Sequence, residues 1–367
     1  MAGTRVRRAA RWCAAAVLLP SALALVACTS PDRPAEANTG RIDLLGAGAT
    51  FPYPLYARWF NAFAQDSGVR INYQSIGSGG GIRQLTAGTV DFGATDVPMT
   101  DGEMAAVPGG RVVHIPTVLG AVAITYNLPS VEPPLRLSPD VLADIFLGRV
   151  TRWNDPRLAA INPRATLPAS DILVVHRADG SGTSFIFSDY LTRVSATWAA
   201  GPGRSKEVRW PVGIGGKGNE GVAAQVKAMP GAIGYIEATY ARQNRLRTAH
   251  LQNAAGTFTP PAAFEIAAAA SSALATLDED ADLRVSIVNA PGERAYPIAS
   301  FTWMLVAPEL IGPERTEALK RFLRWALSSG DEMARTLGYE PLPAEVATPL
   351  LESLDRRLPT PGDAPRP

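Results

Sequence analysis

Four times along this chain a short apolar run empties into a turn of small, hydroxyl-bearing or acidic residues. Arg41–Leu45 leads into Gly46-Ala-Gly-Ala-Thr-Phe-Pro52, and Arg70–Ser75 into Gly77-Ser78-Gly79-Gly80-Gly81. Val90–Ala94 runs into Thr95-Asp96, and Ile172–Val175 into Arg177-Ala-Asp-Gly-Ser-Gly-Thr-Ser-Phe185. Strand-like runs, glycine turns and amphipathic helices in alternation predict an α/β architecture. Ligands of open parallel sheets sit outside the carboxyl ends of the strands, so the first three loops are expected at one crevice.

The remaining elements follow from periodicity and punctuation. Leu55–Gln65 places Leu55, Trp59, Ala62 and Phe63 on one helical face, and helices are predicted over Ile82–Ala87, Glu220–Ala228, Ala262–Leu274, Pro313–Leu327 and Asp331–Thr336. Leu137–Leu147 reads as a helix with Ser138 as N-cap, Pro139 in the first turn and Gly148 closing it. Strands are predicted over Val118–Tyr126, Ala232–Ile236, Arg284–Asn289 and Ala299–Val306, and Trp153, Trp210, Trp303 and Trp325 are expected to fill cores.

Arg177–Phe185 has the chemistry of an anion seat. Its glycines let several N–H groups face one oxyanion, Ser181, Thr183 and Ser184 add hydroxyls at a helix start, and Arg177 supplies a charged planar fork. Taken alone, such a segment is more often an ordinary strand-to-helix turn with Ser or Thr as N-cap.

Arg5, Arg7, Arg8 and Arg11 precede an apolar stretch, Ala14–Ala27, too short to span a bilayer and interrupted by Pro20, which is the layout of a secretory signal. Leu25-Val26-Ala27-Cys28 resembles a bacterial lipobox, so residues 1–27 are expected to be removed and Cys28 acylated. Residues 28–40 then form a flexible lipidated tether, and 359–367 a disordered tail. With Cys13 removed and Cys28 acylated, the folded body has no cysteine left for disulfides or thiol catalysis. Three histidines (114, 176, 250) without ligand-like spacing argue against a metal site. Processing takes four arginines and no acid from 35 basic and 34 acidic residues, leaving 31 against 34. A mildly acidic body argues against nucleic acid and permits a small anion held by local geometry.

Other motifs fail. Gly46-x-Gly48 has Phe51 where a dinucleotide fingerprint needs glycine, and Gly215-Gly216-Lys217 lacks phosphate-loop spacing, leaving Lys217 as a solvated residue near a cleft rim. No G-x-S-x-G elbow surrounds Ser181 or Ser184, and His176 lies on the strand face opposite Arg177, which argues against a hydrolase.

Taken in order and spacing, the loops Gly46–Pro52, Gly77–Gly81, Val90–Asp96, Arg177–Phe185 and Gly213-Ile-Gly-Gly-Lys-Gly-Asn219 resemble those of the periplasmic phosphate-binding proteins of high-affinity phosphate ABC transporters. Leu147-Gly148 through Trp153-Asn154-Asp155 and Pro230–Ile236 extend the similarity over nearly the whole mature chain. The resemblance implies a two-lobed flytrap fold: lobe 1 from 41–120 plus 296–358 and lobe 2 from 121–295, crossing near Leu119–Thr125 and Ala295–Phe301. It implies phosphate ligands at Thr50, Phe51 (through its backbone), Ser78 and Asp96 from one lobe, and Arg177, Ser181, Gly182 and Thr183 from the other. Asp179 matches the acid that buttresses the arginine. It also implies a non-enzymatic monomeric receptor, without cofactor or metal, lipid-anchored on the outer face of the cell membrane, with permease and ATPase subunits as partners. Gly79 departs from a common serine, and His176 from a common basic residue. Asp96 would be the discriminating group, because a carboxylate can only accept the proton that phosphate carries and sulfate lacks. A receptor for sulfate, molybdate or another oxyanion is the rival within transport.

Overall fold

The computed structural model describes residues 42–132, 134–274 and 284–360. The secretory signal, the Cys28 lipidation, the tether and nearly all of the expected tail lie outside them. One mixed sheet runs through the molecule. Its strands lie in the order Arg70–Ser75, Asp43–Gly48, Phe92–Thr95, Ala299–Val306, Val113–Tyr126, Ala232–Glu237, Leu173–Arg177, Ile214–Gly216.

The strand Val113–Tyr126 joins two halves. Val113 to Ala121 pair antiparallel with Ala299–Val306, and Val122 to Tyr126 pair antiparallel with Ile233 to Glu237. All fourteen residues are buried, and their near-continuous apolar character (VHIPTVLGAVAITY) is what a strand covered on both faces requires. On either side the neighbours are parallel: Asp43–Gly48 with Arg70–Ser75 and with Phe92–Thr95, and Leu173–Arg177 with Ala232–Glu237 and with Ile214–Gly216. The expectation of an α/β fold with strand carboxyl ends facing one crevice is met, and the shared strand makes the sheet two-lobed.

Several boundaries differ from expectation for identifiable reasons. The helix expected from Ile82 begins at Ser78 and runs to Thr86, with Gly79, Gly80 and Gly81 inside it. Glycine in a helix costs about 1 kcal/mol against alanine, but a Cβ on Gly81 would stand 2.5 Å from the Gly48 Cα, and one on Gly80 2.8 Å from Ile76. Close backbone packing overrides propensity here. Likewise the helix expected from Glu220 starts at Gly218. Arg284–Asn289 is not a strand: Val288 N–H bonds the Ser286 hydroxyl, Asn289 N–H bonds the Pro297 carbonyl, and Asn289 turns to φ 55°. A C-terminal helix, Ala344–Arg357, carries Pro349 inside it and packs Leu350 and Leu354 into the core. Of the four tryptophans, Trp153 and Trp303 are fully buried, while Trp210 and Trp325 are half-buried against the core, Trp210 lying between His176 and Tyr235.

Candidate anion-binding site

Four helix starts meet where the two halves face each other. Tyr53–Ser67 and Ser78–Thr86 begin in the first half, and Gly182–Val194 and Gly218–Ala228 in the second. Those at Ser78 and Gly182 present unpaired N–H groups and a partial positive charge to the crevice, while the Gly218 and Asn219 N–H groups bind Asp179 and Thr50, and those of Tyr53, Leu55 and Tyr56 bind the Thr50 and Pro52 carbonyls.

Arg177 ends its strand as a guanidinium with 1% side-chain exposure. Its Nε and Nη2 bind Asp179 in a fork, at 2.8 and 2.5 Å, and Nη1 donates to the Thr183 hydroxyl at 3.2 Å. Burial opposes the charge, but the Asp179 pair outweighs it and holds the guanidinium above its ordinary value. Asp179 is itself fixed by the Gly218 N–H at 3.0 Å. Ser181 caps the helix by accepting from the Ser184 N–H at 3.0 Å, so its own hydrogen is free to point elsewhere.

In the first half Ser78 and Asp96 are in contact. The Asp96 N–H donates to the Ser78 hydroxyl at 3.2 Å, and that hydroxyl donates to Asp96 Oδ2 at 3.3 Å. Thr302 lies 2.8 Å from Asp96 Oδ1. Burial raises the Asp96 carboxyl to about 7, with Thr302, Arg177 and Ser78 pulling the other way. The halves are closed on each other: the Gly79 N–H bonds the Gly180 carbonyl at 2.9 Å, and Lys206 pairs with Glu103. A Cβ on Gly182 would fall 2.4 Å from Ser78 Oγ and 2.6 Å from Asp96 Oδ2.

Thr50, Phe51, Ser78, Asp96, Arg177, Ser181, Gly182 and Thr183 are all buried and are brought together. Phe51 contributes its ring to the core, against Gly120. The sequence reading missed Asn219, although it noted the loop that ends there. The Asn219 amide donates to the Thr50 hydroxyl at 2.7 Å and the Thr183 hydroxyl at 3.3 Å, which ties the halves together. Its Oδ1 accepts from the Glu237 N–H. Thr302 and Glu237 were also missed. Neither sits in a glycine–hydroxyl loop, the only signal used.

Glu237 is fully buried, and burial raises its carboxyl to about 8. Its Oε2 accepts from the Thr239 N–H at 2.9 Å and from the Tyr339 hydroxyl at 3.0 Å, and that hydroxyl also lies 2.6 Å from the Phe51 carbonyl. Lys217 is exposed as expected. His176 stacks on Trp210 and its Nδ1 donates to the Arg177 carbonyl, so it is no base for Ser181 or Ser184. Among the described residues no group of acids, histidines and cysteines could hold a metal ion, and no helix is long and apolar enough to cross a membrane.

A two-lobed sheet with helix starts converging on a buried arginine defines a solute-binding protein, and residues 33–329 match the PBP superfamily domain. The chain is 44% identical over 315 residues to the phosphate-binding protein PstS of Haemophilus influenzae, covering 86% of this chain and 92% of the relative. It is 39% identical to PstS of Methanocaldococcus jannaschii, covering 82% of each. The crystal structure of a phosphate-binding protein from Stenotrophomonas maltophilia shares the fold, with a TM-score of 0.64 at 20% identity over 84% of this chain and 93% of that one. The chain belongs to the PstS family of phosphate-binding proteins, the non-enzymatic substrate-binding components of phosphate ABC transporters.

Proposed function

We propose that this protein captures inorganic phosphate between its lobes by closing on it and delivers it to a membrane permease driven by an ATPase. The observation that carries the reading is a set of buried donors without acceptors. Among the described residues, the N–H groups of Thr50, Phe51, Ser78, Gly182 and Thr183 have no protein partner. Buried N–H groups are almost always paired, and each unpaired one costs on the order of 1–3 kcal/mol, so a cluster of them implies a ligand rich in acceptors.

The hydroxyls agree. Thr50 Oγ1 already accepts from the Asn219 amide and N–H, and Thr183 Oγ1 from Arg177 and Asn219, so the hydrogens of both point elsewhere. Arg177 keeps one N–H on Nη1 and one on Nη2 beyond its bonds to Asp179 and Thr183. Against these donors stands one acceptor, Asp96. A tetrahedral oxyanion that carries a proton satisfies both kinds of group, and phosphate is that ion. A fully deprotonated oxyanion would meet a buried carboxylate, and rejecting it in this way places the penalty on the wrong ligand.

In this mechanism lobe 1 (41–120 and 296–358) holds the anion on Thr50, Phe51, Ser78 and Asp96. Lobe 2 (121–295) closes Arg177, Ser181, Gly182 and Thr183 over it. Ligand then shifts an open-to-closed equilibrium because only the closed form pairs all the donors. The receptor acts as a monomer, with residues 1–27 removed and a lipid on Cys28 holding it to the outer face of the cell membrane.

The test is calorimetric titration of the body that follows Cys28, freed of carried-over anion, with phosphate and then sulfate at pH about 8, above the Asp96 value. Micromolar or tighter phosphate binding with sulfate silent is expected. Sulfate binding in its place would reassign the ligand, and no binding of either would overturn the reading. Metabolic labelling with a palmitate analogue, lost in Cys28→Ala, checks the anchor.

A further inference from the structure

Three consecutive carbonyls, at Ala49, Thr50 and Phe51, are each held by a tyrosine hydroxyl. Tyr73 donates to Ala49 O at 2.8 Å, Tyr240 to Thr50 O at 2.7 Å, and Tyr339 to Phe51 O at 2.6 Å. The three tyrosines come from distant parts of the chain: the strand Arg70–Ser75, the helix Ala238–Gln243 and the segment after Leu337. A trans peptide points its C=O and N–H in opposite directions. The Ala49–Thr50 and Thr50–Phe51 peptides, gripped at their carbonyls, therefore present the Thr50 and Phe51 N–H groups on the side away from the tyrosines. These are two of the donors left without a protein acceptor. The third peptide ends in Pro52 and has no N–H to present.

A hydrogen bond to a carbonyl also polarises the peptide behind it, so the clamp both aims each N–H and strengthens it as a donor. One clamp differs from the others. Tyr240 follows the strand Ala232–Glu237, which pairs with the second half of the crossing strand, whereas Thr50 follows Asp43–Gly48 in the first half. The Tyr240–Thr50 bond therefore spans the two halves. Tyr73 lies in the same half as the carbonyl it holds.

We propose that Tyr240 and Tyr73 are positioning residues for the anion donors, Tyr73 permanently aiming the Thr50 N–H and Tyr240 aiming the Phe51 N–H only when the lobes are closed. This rests on the phosphate reading above. Closure then does more than cover the ligand, because it completes a donor on the opposite lobe.

The experiment is phosphate titration of the mature body by calorimetry and by backbone amide NMR, in the wild type and in Tyr240→Phe and Tyr73→Phe. Each substitution removes one hydroxyl and keeps the ring. Tyr240→Phe should weaken phosphate about tenfold, the loss expected for one hydrogen bond. It should shrink the phosphate-induced shift of the Phe51 amide and leave that of Thr50, and Tyr73→Phe should do the reverse. In the wild type, which needs no variant to fold, phosphate should move the Thr50 carbonyl resonance more than that of Ala49. Both amide shifts changing together in either variant, or equal carbonyl shifts in the wild type, would overturn the proposal. Wild-type protein indifferent to phosphate would instead overturn the functional reading beneath it.

Discussion

The two sides of the crevice are built differently. The Arg177 side is nearly one stretch of chain: arginine, buttressing acid, helix cap and two backbone donors lie between Arg177 and Thr183. The facing side is assembled from afar. Ser78 meets Asp96 across 18 residues of sequence, and Asp96 meets Thr302 across 206. The local side carries the charge, and the assembled side carries the single acceptor. On the proposed phosphate reading, attraction for an anion is written into one turn, whereas discrimination among anions rests on a buried carboxylate, which needs the whole fold.

Removing the local charge should have the largest effect. Arg177→Ala removes the two spare guanidinium N–H donors, and hydrogen bonds between charged groups are worth about 1.5–3 kcal/mol each. Phosphate affinity should fall by roughly three decades; a dissociation constant within about fivefold of wild type would break the contrast. Gly182→Ala attacks the meeting of the two sides. Its Cβ would intrude on Ser78 Oγ and Asp96 Oδ2, so closure should fail and phosphate binding drop by about a hundredfold. The thermal midpoint without phosphate should stay unchanged if the defect is closure, and a comparable fall in that midpoint would show a folding defect.

Asp96→Asn should retain the fold and admit sulfate, raising its affinity by about tenfold or more in competition binding. Unaltered preference would remove Asp96 from its role. In the wild type, protonation of Asp96 below its value of about 7 predicts that sulfate rejection weakens as the pH falls.

The smallest effect concerns Glu237. Its folded value of about 8 stands above the ordinary 4.5, so between the two the folded protein holds a proton that the unfolded chain has released. That contribution to stability is full below the lower value and is lost as pH rises through the upper one. Asp96 acts in the same direction between 3.8 and about 7. Glu237→Gln should therefore flatten the fall in thermal midpoint between about pH 4.5 and about 8, most cleanly between about 7 and 8 where Asp96 no longer contributes, read by calorimetric melting. An unaltered slope there would show that Glu237 is ionised in the fold.

The α/β alternation, most strands and the Ser138–Pro139 and Ser181 helix starts are legible in the sequence because turn chemistry and periodicity act within a few residues. The eight residues expected at the crevice are legible for the same reason, each sitting in a turn that follows a strand, while their meeting across the crevice is the work of the fold. Asn219 was passed over because its partners Thr50 and Thr183 lie 169 and 36 residues away. Arg284–Asn289 reads as a strand, yet the Val288 and Asn289 N–H groups find the Ser286 hydroxyl and the Pro297 carbonyl in place of a ladder.

What the sequence determined by itself is therefore the short-range part: where strands end, where helix N–H groups are exposed, and that a guanidinium with its own carboxylate partner sits among them. Tertiary structure decided the rest. It placed glycines inside a helix where a Cβ on Gly81 would meet the Gly48 backbone and one on Gly80 the Ile76 side chain, and it raised Asp96 and Glu237 by burial. It also set tyrosines 24, 190 and 288 residues away behind three consecutive carbonyls. Propensity and capping are energies of neighbours along the chain, while desolvation and close approach exist only once distant segments have excluded water from between them.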